Sequence, residues 1–320
     1  MKKNILALIL GSLLFCFAGQ VEAEKVYHIG ALVLDDLFLP AVDGFKKKMA
    51  ELGYIEGKNV NYNIHNAKGD YETLSRLAQD LVRDNPDLIV TSTTTATVPV
   101  AKVTEGTDLP VVFLSAGNPL KIVKSYASSG NNLTGISTSI LDLTAKRLEL
   151  LKELAPWVKR VASFNNPKGV NYQAHLTEAR RAAKRLGFTL WEINVTNREE
   201  IQRVTATITR KVADAIFLPP DRTVSKAIEV IAKQALEEKL PLIPPPNLKS
   251  WGLATYGHDG FALGRQGAVL VDKILNGARP MDLPIEQPLR LKLIINLKTA
   301  EAIGLKISKE ILLRADEVIE

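Results

Sequence analysis

Cysteine is almost absent from this chain of 320 residues. The single cysteine, Cys16, lies inside an apolar run over residues 5–18. If residues 1–23 are removed on export, the rest of the chain contains no cysteine. A disulfide framework, a thiol nucleophile and a zinc–thiolate site are then all excluded.

The first 23 residues have the pattern of a cleaved secretory signal peptide. Lys2 and Lys3 precede the apolar run, and Val21 and Ala23 are the small residues before the expected cleavage point. The alternative is a membrane-spanning helix, but the run is shorter than the about 20 apolar residues that such a helix needs. Bulky residues precede Cys16, which argues against a lipoprotein. We therefore expect export to the periplasm without a lipid anchor.

Several sequence motifs of enzymes are also missing. The residues after the first predicted strand contain no glycine-rich dinucleotide fingerprint, and the chain contains no phosphate loop. The four histidines are scattered and form no metal-binding pair, and no serine stands in a nucleophile-elbow context. The sequence therefore predicts no catalytic residue, no metal and no cofactor.

The charged residues argue against nucleic acid as a partner. The formal net charge of +6 falls to +5 when Lys2, Lys3 and Glu22 are removed. The remaining Lys and Arg residues are dispersed among acidic residues, whereas nucleic-acid binding usually requires a concentrated basic patch. We expect a monomer with a mixed-charge surface that binds no nucleic acid.

Hydrophobic periodicity predicts an α/β protein with parallel sheets. Short β-branched runs alternate with amphipathic stretches of helical period. A first series of strands is predicted over 26–34, 60–64, 88–90 and 111–114, and a second over 161–164, 190–195, 215–218 and 242–243. The two series read as two Rossmann-like lobes with a cleft between them.

The tail indicates that the chain re-crosses between the lobes. A helix over 260–276 and a strand over 289–296 remain after two complete lobes. Such leftover elements predict a multi-strand hinge, which suits lobes that open and close as rigid bodies. We expect lobe 1 to contain 24–139 and 258–283, and lobe 2 to contain 140–257 and 284–320.

Polar residues follow the predicted strands of lobe 1, where ligands bind in open parallel sheets. Thr93 and Thr94 belong to a hydroxyl-rich run, 91–95, at the expected start of a helix, whose free N–H groups favour a carboxylate. Ordinary N-capping is the alternative explanation, although a cap needs one hydroxyl and the run has five. Ser115 follows the next strand, near Gly117, in what is equally well explained as a plain turn.

Asn165 and Asp221 of lobe 2 follow predicted strands, and Asp259 precedes the helix at 260–276. Both aspartates have an ordinary role as helix caps, and both are placed to accept charge-assisted hydrogen bonds from a ligand ammonium. Of the two we favour Asp259. Aromatic residues in predicted loops are candidates for an apolar wall: Phe38, Tyr172, Trp251 and Tyr256.

Segments along the whole mature chain resemble a family of bacterial ABC-transporter substrate-binding proteins that includes tryptophan- and tyrosine-type binders. Early matches are ELGYIEGKNV at 51–60, DLIVTS at 87–92, NLTG at 132–135 and KRLELL at 146–151. The most specific matches lie in the tail: VDKILNG at 271–277, LPIEQP at 283–288, INLKTA at 295–300 and LRADEVI at 313–319.

The resemblance implies a type I periplasmic-binding-protein fold with three hinge crossings, and delivery of a solute to an inner-membrane ABC permease with a cytoplasmic ATPase. It also implies that Thr93, Thr94, Ser115 and Asp259 grip an amino-acid-like solute. The chain departs from the family pattern at 93–95, at Asn118 and at 35–40, where it lacks a His-Pro pair. The last departure argues against tryptophan as the ligand.

The sequence thus predicts the solute-binding component of an ABC importer. Two alternatives stay open: a component that presents its ligand to a membrane sensor, and an exported hydrolase built on the same scaffold. The hydrolase would need a base and a nucleophile that meet across the cleft, and the sequence offers only scattered candidates such as Asp221 and His258.

Overall fold

The computed structural model describes residues 25–138, 140–169 and 171–320. The predicted signal peptide and Cys16 lie outside these described residues. Across the described ranges, no helix is both long enough and apolar enough to cross a membrane.

The first lobe is built on a five-stranded sheet. Its strands are β1 (Tyr27–Val33), β2 (Val60–Asn66), β3 (Leu88–Thr91), β4 (Val111–Ala116) and β5 (Leu133–Ser137). Its helices are α1 (Leu39–Glu51), α2 (Leu74–Arg83) and α3 (Thr93–Val103). All pairs are parallel in the order β2-β1-β3-β4-β5. The four predicted strands are confirmed, and β5 is an additional one.

The second lobe repeats this architecture with four strands. Its strands are β6 (Arg160–Asn165), β7 (Thr189–Asn194), β8 (Ala215–Phe217) and β9 (Leu242–Ile243). Its helices are α4 (Ile140–Leu154), α5 (Tyr172–Leu186), α6 (Arg198–Thr205), α7 (Arg222–Ser225) and α8 (Ile228–Glu237). The strands are parallel in the order β7-β6-β8-β9, as the second predicted series requires.

The tail returns to both lobes. Its elements are β10 (Ala254–Gly257), α9 (Gly260–Leu275), β11 (Lys292–Asn296), α10 (Leu297–Ala302), α11 (Lys309–Arg314) and β12 (Glu317–Ile319). Helix α9 packs against α1 and β4 of the first lobe. Strand β11 pairs antiparallel with β10 and parallel with β12, and this small sheet packs on the core of the second lobe.

Residues 285 and 286, which follow the predicted boundary at 283, form hydrogen bonds with the first lobe. The Ile285 N–H donates to the Tyr126 carbonyl at 2.8 Å, and the Glu286 N–H donates to the Gly135 carbonyl at 3.0 Å. Both acceptors belong to the first lobe. The Leu289 N–H also donates to Gln266 of α9, at 3.2 Å. We propose that the last crossing between the lobes follows Leu289, while the other predicted boundaries stay predictions.

Both faces of each sheet are covered by apolar side chains. In β3, Leu88 and Val90 pack toward the layer of α1 and α9, whereas Ile89 packs toward α2. In β8, Phe217 and Ile216 likewise point into separate cores. Fully covered parallel sheets bind ligands at the carboxyl ends of their strands.

Candidate functional site

A cavity of about 820 Å³ lies between the carboxyl ends of the two parallel sheets. Much of its wall comes from the residues that follow β1, β3 and β4 in the first lobe and β6, β8 and β9 in the second, and the tail contributes residues around β10 and β11. The strand orders place a topological switch between β1 and β3, and another between β6 and β8. The cavity therefore lies at the position where doubly wound sheets bind ligands.

The structure brings together seven of the eight residues predicted to bind ligand. Those that line the cavity are Thr93, Thr94, Ser115, Asn165, Tyr172, Asp221 and Asp259. Their contact with a ligand stays a prediction.

The eighth residue, Tyr256, does not line the cavity. Side chains alternate along β10, so that Thr255 and Gly257 face the cavity while Tyr256 packs against the core of the second lobe. Among the other candidate wall residues, Phe38 lines the cavity, whereas Trp251 does not. The alternation of side chains along 254–257 is the sequence signal that would have placed Tyr256 on the side of the strand away from the cavity.

The N-terminus of α3 forms one wall of the cavity. Ser92 makes no side-chain cap bond, and the Ala96 N–H donates instead to the Thr93 hydroxyl at 3.2 Å. The Thr93 N–H donates to Ser115 Oγ at 3.3 Å, and the Asn118 N–H donates to the Thr94 hydroxyl at 3.0 Å. Each of these hydroxyls also has a proton to donate. A helix start with such hydroxyls suits an anionic group.

Thr93 has an unusual backbone conformation for a β-branched residue. Its φ angle is +68°, in the left-handed region. Nearby, the register between β4 and β5 shifts between Phe113 and Ala116, an irregularity that is common beside functional sites. Strain of this kind concentrates at ligand-binding positions.

Replacing Thr93 by glycine tests this strain. Thr93→Gly is expected to raise the free energy of unfolding by about 1 kcal/mol, because glycine adopts the left-handed region without a Cβ clash. The lost cap on Ala96 offsets only a few tenths of this gain. The matched control is Thr95→Gly in the same turn, which is expected to lower stability by about 0.5 kcal/mol. Equal destabilisation in urea unfolding would show that Thr93 is unstrained.

Asp221 is a half-buried carboxylate in the opposite wall. It caps α7 by accepting the Val224 N–H at 3.1 Å, and Asn166 Nδ2 donates to its Oδ2 at 3.2 Å. No Lys or Arg nitrogen in the described part of the chain forms an ion pair with it. Burial raises the pKa of Asp221 above the ordinary aspartate value, and the hydrogen bonds only partly oppose this effect. The cavity thus contains an unpaired negative charge.

Asp259, which the sequence favoured, already has a cationic partner. Lys292 Nζ on β11 lies 3.0 Å from its Oδ2, and the Ala262 N–H donates to its Oδ1 at 3.2 Å. Burial alone would raise the pKa of Asp259, but these partners lower it below the usual value. The structure therefore favours Asp221 over Asp259 as the group that receives a ligand cation.

A fully buried positive charge lies behind the cavity wall of the second lobe. Arg147 on α4 is fully buried above the Phe217 ring, and its Nη2 donates to the Leu218 carbonyl at 2.7 Å. Burial lowers the pKa of Arg147 to about 9, which leaves it protonated at neutral pH. Burial and this charge lower the pKa of the cavity-lining His175 to about 3. His175 is therefore neutral, and the part of the wall around His175 does not favour a ligand cation.

Sequence reasoning missed several residues of the walls. Asn166, rather than Asn165, contacts Asp221, because the Asn165 side chain donates to the Ser163 carbonyl of its own strand at 2.8 Å. Arg222 also lines the cavity, and it contacts the first lobe. Both lie within four residues of the end of a predicted strand and beside a residue that was chosen, so position along the chain was the available signal.

Comparison with known proteins identifies the type of molecule. The family model for ABC transporter substrate binding proteins matches residues 28–319. A tyrosine-binding protein of Clostridioides difficile is 27% identical over 294 residues, which cover 90% of this chain and 84% of that protein.

Two solved structures share the fold over 92% of this chain. A Streptococcus pneumoniae ABC domain in complex with L-Trp has a TM-score of 0.84 at 27% identity, with 100% of its chain covered. A ligand-free, open substrate-binding protein with adhesive properties from Clostridium difficile has a TM-score of 0.72 at 25% identity, with 99% of its chain covered. Both the predicted type I periplasmic-binding fold and the family resemblance are confirmed. The chain belongs to the ABC transporter substrate-binding protein family.

Proposed function

We propose that this protein captures an amino acid in the cleft between its lobes and delivers it to an ABC permease. The observation that carries the proposal is the charge of the cleft walls. The lining contains four Lys and Arg residues. Lys292 is paired with Asp259, Arg222 with Asp35, and Lys249 with Glu317, whereas Lys168 is exposed to solvent.

Among the carboxylates of the wall, this pairing leaves Asp221 without a cation. Partial burial among neutral hydrogen-bond donors alone disfavours the charged form of this carboxylate. A ligand ammonium would relieve this penalty through charge-assisted hydrogen bonds. We therefore assign the ammonium of the solute to Asp221.

The other end of a zwitterionic solute fits the N-terminus of α3. The hydroxyls of Thr93 and Thr94 and the N–H groups of the first helical turn favour a carboxylate. Apolar residues form much of the remaining wall and suit an aliphatic or aromatic side chain: Leu34, Leu37, Phe38, Pro219, Pro220, Pro245 and Pro246. The ligands named for the two relatives, tyrosine and L-Trp, are amino acids of this kind.

The arrangement of the lobes supports capture by closure. The chain resembles the L-Trp complex more closely than the ligand-free open structure, at similar sequence identity. Residues of both lobes meet across the cleft in a buried ion pair between Asp35 and Arg222. A ligand that contacts both lobes stabilises such a closed state by its differential affinity.

The ligand assignment is tested by mass spectrometry and thermal shift. Solute released from the purified, denatured protein is identified first, and the twenty L-amino acids are then screened for an increase in melting temperature. The strongest amino acid is compared with its des-amino and decarboxylated analogues, for L-tyrosine 3-(4-hydroxyphenyl)propionate and tyramine. We expect both analogues to bind far more weakly. An analogue without the amino group that binds equally well would contradict the role of Asp221.

The importer role and the location have their own tests. We propose that the chain is exported and cleaved after Ala23, so that N-terminal sequencing of the extracytoplasmic protein should begin at Glu24. Deleting the gene should abolish high-affinity uptake of the radiolabelled amino acid. Unchanged uptake together with a lost behavioural or transcriptional response would favour the sensor role.

A further inference from the structure

The segment after β1 reaches across the cleft and contacts the second lobe. It contains Asp35, which caps the short 3-10 helix Asp36–Phe38 by accepting the Leu37 N–H at 3.3 Å. The free oxygen of Asp35 accepts two hydrogen bonds from Arg222, the first residue of α7, one of them from Nε at 2.8 Å. Leu37 packs against the apolar core of the second lobe. A polar and an apolar contact thus join the lobes at one place.

The Asp35–Arg222 pair differs from the other ion pairs of the described residues by its burial. Its side chains are only 12% and 8% exposed, whereas both partners of every other pair are considerably more exposed. Exposed pairs contribute little, but a buried charge without its partner is strongly disfavoured. The removal of either charge should therefore destabilise the closed arrangement, in which the pair is buried, more than the open one.

The first lobe also holds the guanidinium through its backbone. Arg222 Nη2 donates to the Lys68 carbonyl at 3.2 Å, and the Tyr71 ring lies 5.9 Å from the guanidinium carbon. A Cβ on Gly69 would lie 1.2 Å from Nη2, so the loop leaves room for the guanidinium only because residue 69 is glycine. The guanidinium of Arg222 thus occupies a small pocket formed by residues 68–71 of the first lobe.

We propose that the ion pair between Asp35 and Arg222 stabilises one specific closed arrangement of the two lobes. We call this pair the latch. When the lobes separate, both charges are solvated. When the lobes close, each charge is buried and must meet the other. The pair therefore selects one closed arrangement, and Leu37 adds apolar contact at the same place. This role depends on the contact between Asp35 and Arg222 and not on the identity of the solute in the cleft.

The test uses the ligand-free protein. Wild type and variants are freed of co-purified solute by refolding from guanidinium chloride, and their small-angle X-ray scattering is compared. Asp35→Asn and Arg222→Gln each leave one charge without a partner. Each is expected to lower the closed-to-open ratio by about 30-fold or more and to increase the radius of gyration. The double variant carries neither charge and is expected to recover closure in part.

Two further variants keep the test specific. Glu192→Gln breaks the Arg180–Glu192 pair within the second lobe and is expected to leave the scattering curve unchanged. Leu37→Ser is expected to open the lobes without altering a charge, and circular dichroism verifies that every variant is folded. Folded single variants that scatter as wild type, or a double variant more open than either single variant, would overturn the latch. Because no ligand is used, either result is independent of the amino-acid assignment.

Discussion

Asp221→Asn is expected to weaken binding of the amino acid by at least about 30-fold, the usual effect of removing one partner of a buried charge pair. The same substitution is expected to raise the melting temperature of the ligand-free protein at neutral pH. The reason is that burial raises the pKa of Asp221, so the ionised carboxylate destabilises the fold. Asparagine still caps α7 but carries no charge. Titration calorimetry and differential scanning calorimetry measure the two effects.

The pH dependence of these effects follows from the sign of the pKa shift. A carboxylate with a raised pKa contributes stability below its unfolded pKa, about 4, and this contribution is lost as pH rises through the folded value. The stability advantage of Asp221→Asn should therefore vanish in acid. Ligand affinity of the wild type should fall as Asp221 is protonated, and that of the variant should not.

Asp259→Asn is the matched control for this prediction. Asp259 lines the same cavity and caps a helix in the same way, but Lys292 already neutralises it. We expect its replacement to lower affinity much less than the replacement of Asp221. The reverse order would show that the ammonium is bound at Asp259, as the sequence alone suggested.

Gly264→Ala is expected to have the largest effect on stability. Gly264 on α9 faces α1 so closely that a Cβ would lie 1.7 Å from the Ala41 carbonyl oxygen. Gly44 on α1 meets the Phe261 carbonyl in the same way, at 2.0 Å. Backbone atoms cannot move aside as a side chain does, so the two helices must separate. We expect a loss of about 3 kcal/mol in the free energy of unfolding.

Gly260→Ala in the same helix is the control for Gly264→Ala. A Cβ at Gly260 would lie 3.8 Å from the nearest atom, the Pro40 Cβ, which is ordinary contact. Its stability in urea unfolding should be close to that of wild type. If both variants unfolded at the same urea concentration, the close contact of α1 and α9 would not anchor α9 to the first lobe.

Local sequence pattern was sufficient to predict the parallel sheets. Eight of their strands were predicted. Strands β3 and β4 are apolar because both of their faces are covered, whereas the edge strand β2 was recognised from alternating apolar residues. The short elements α7, α10 and α11 have four to six residues, too few to show a helical period. Strand β12 has three residues and depends on β11 for its pairing.

The site was harder to predict than the fold because its charges are paired by residues distant in the chain. Lys292 neutralises Asp259 from a separate strand, 33 residues away, and this contact reverses the preference for Asp259 over Asp221. The contact of Asp35 with Arg222 spans 187 residues and two lobes. Spacing along one sequence predicts which residues follow strands, but not which of them meet.

A crystal structure of the protein with its bound amino acid is the most direct test of the proposed binding mode. We predict the α-ammonium of the ligand within hydrogen-bond distance of Asp221 and its carboxylate at the first turn of α3, with both lobes in contact with one molecule. A ligand held by one lobe alone, or an ammonium that contacts neither oxygen of Asp221, would contradict it.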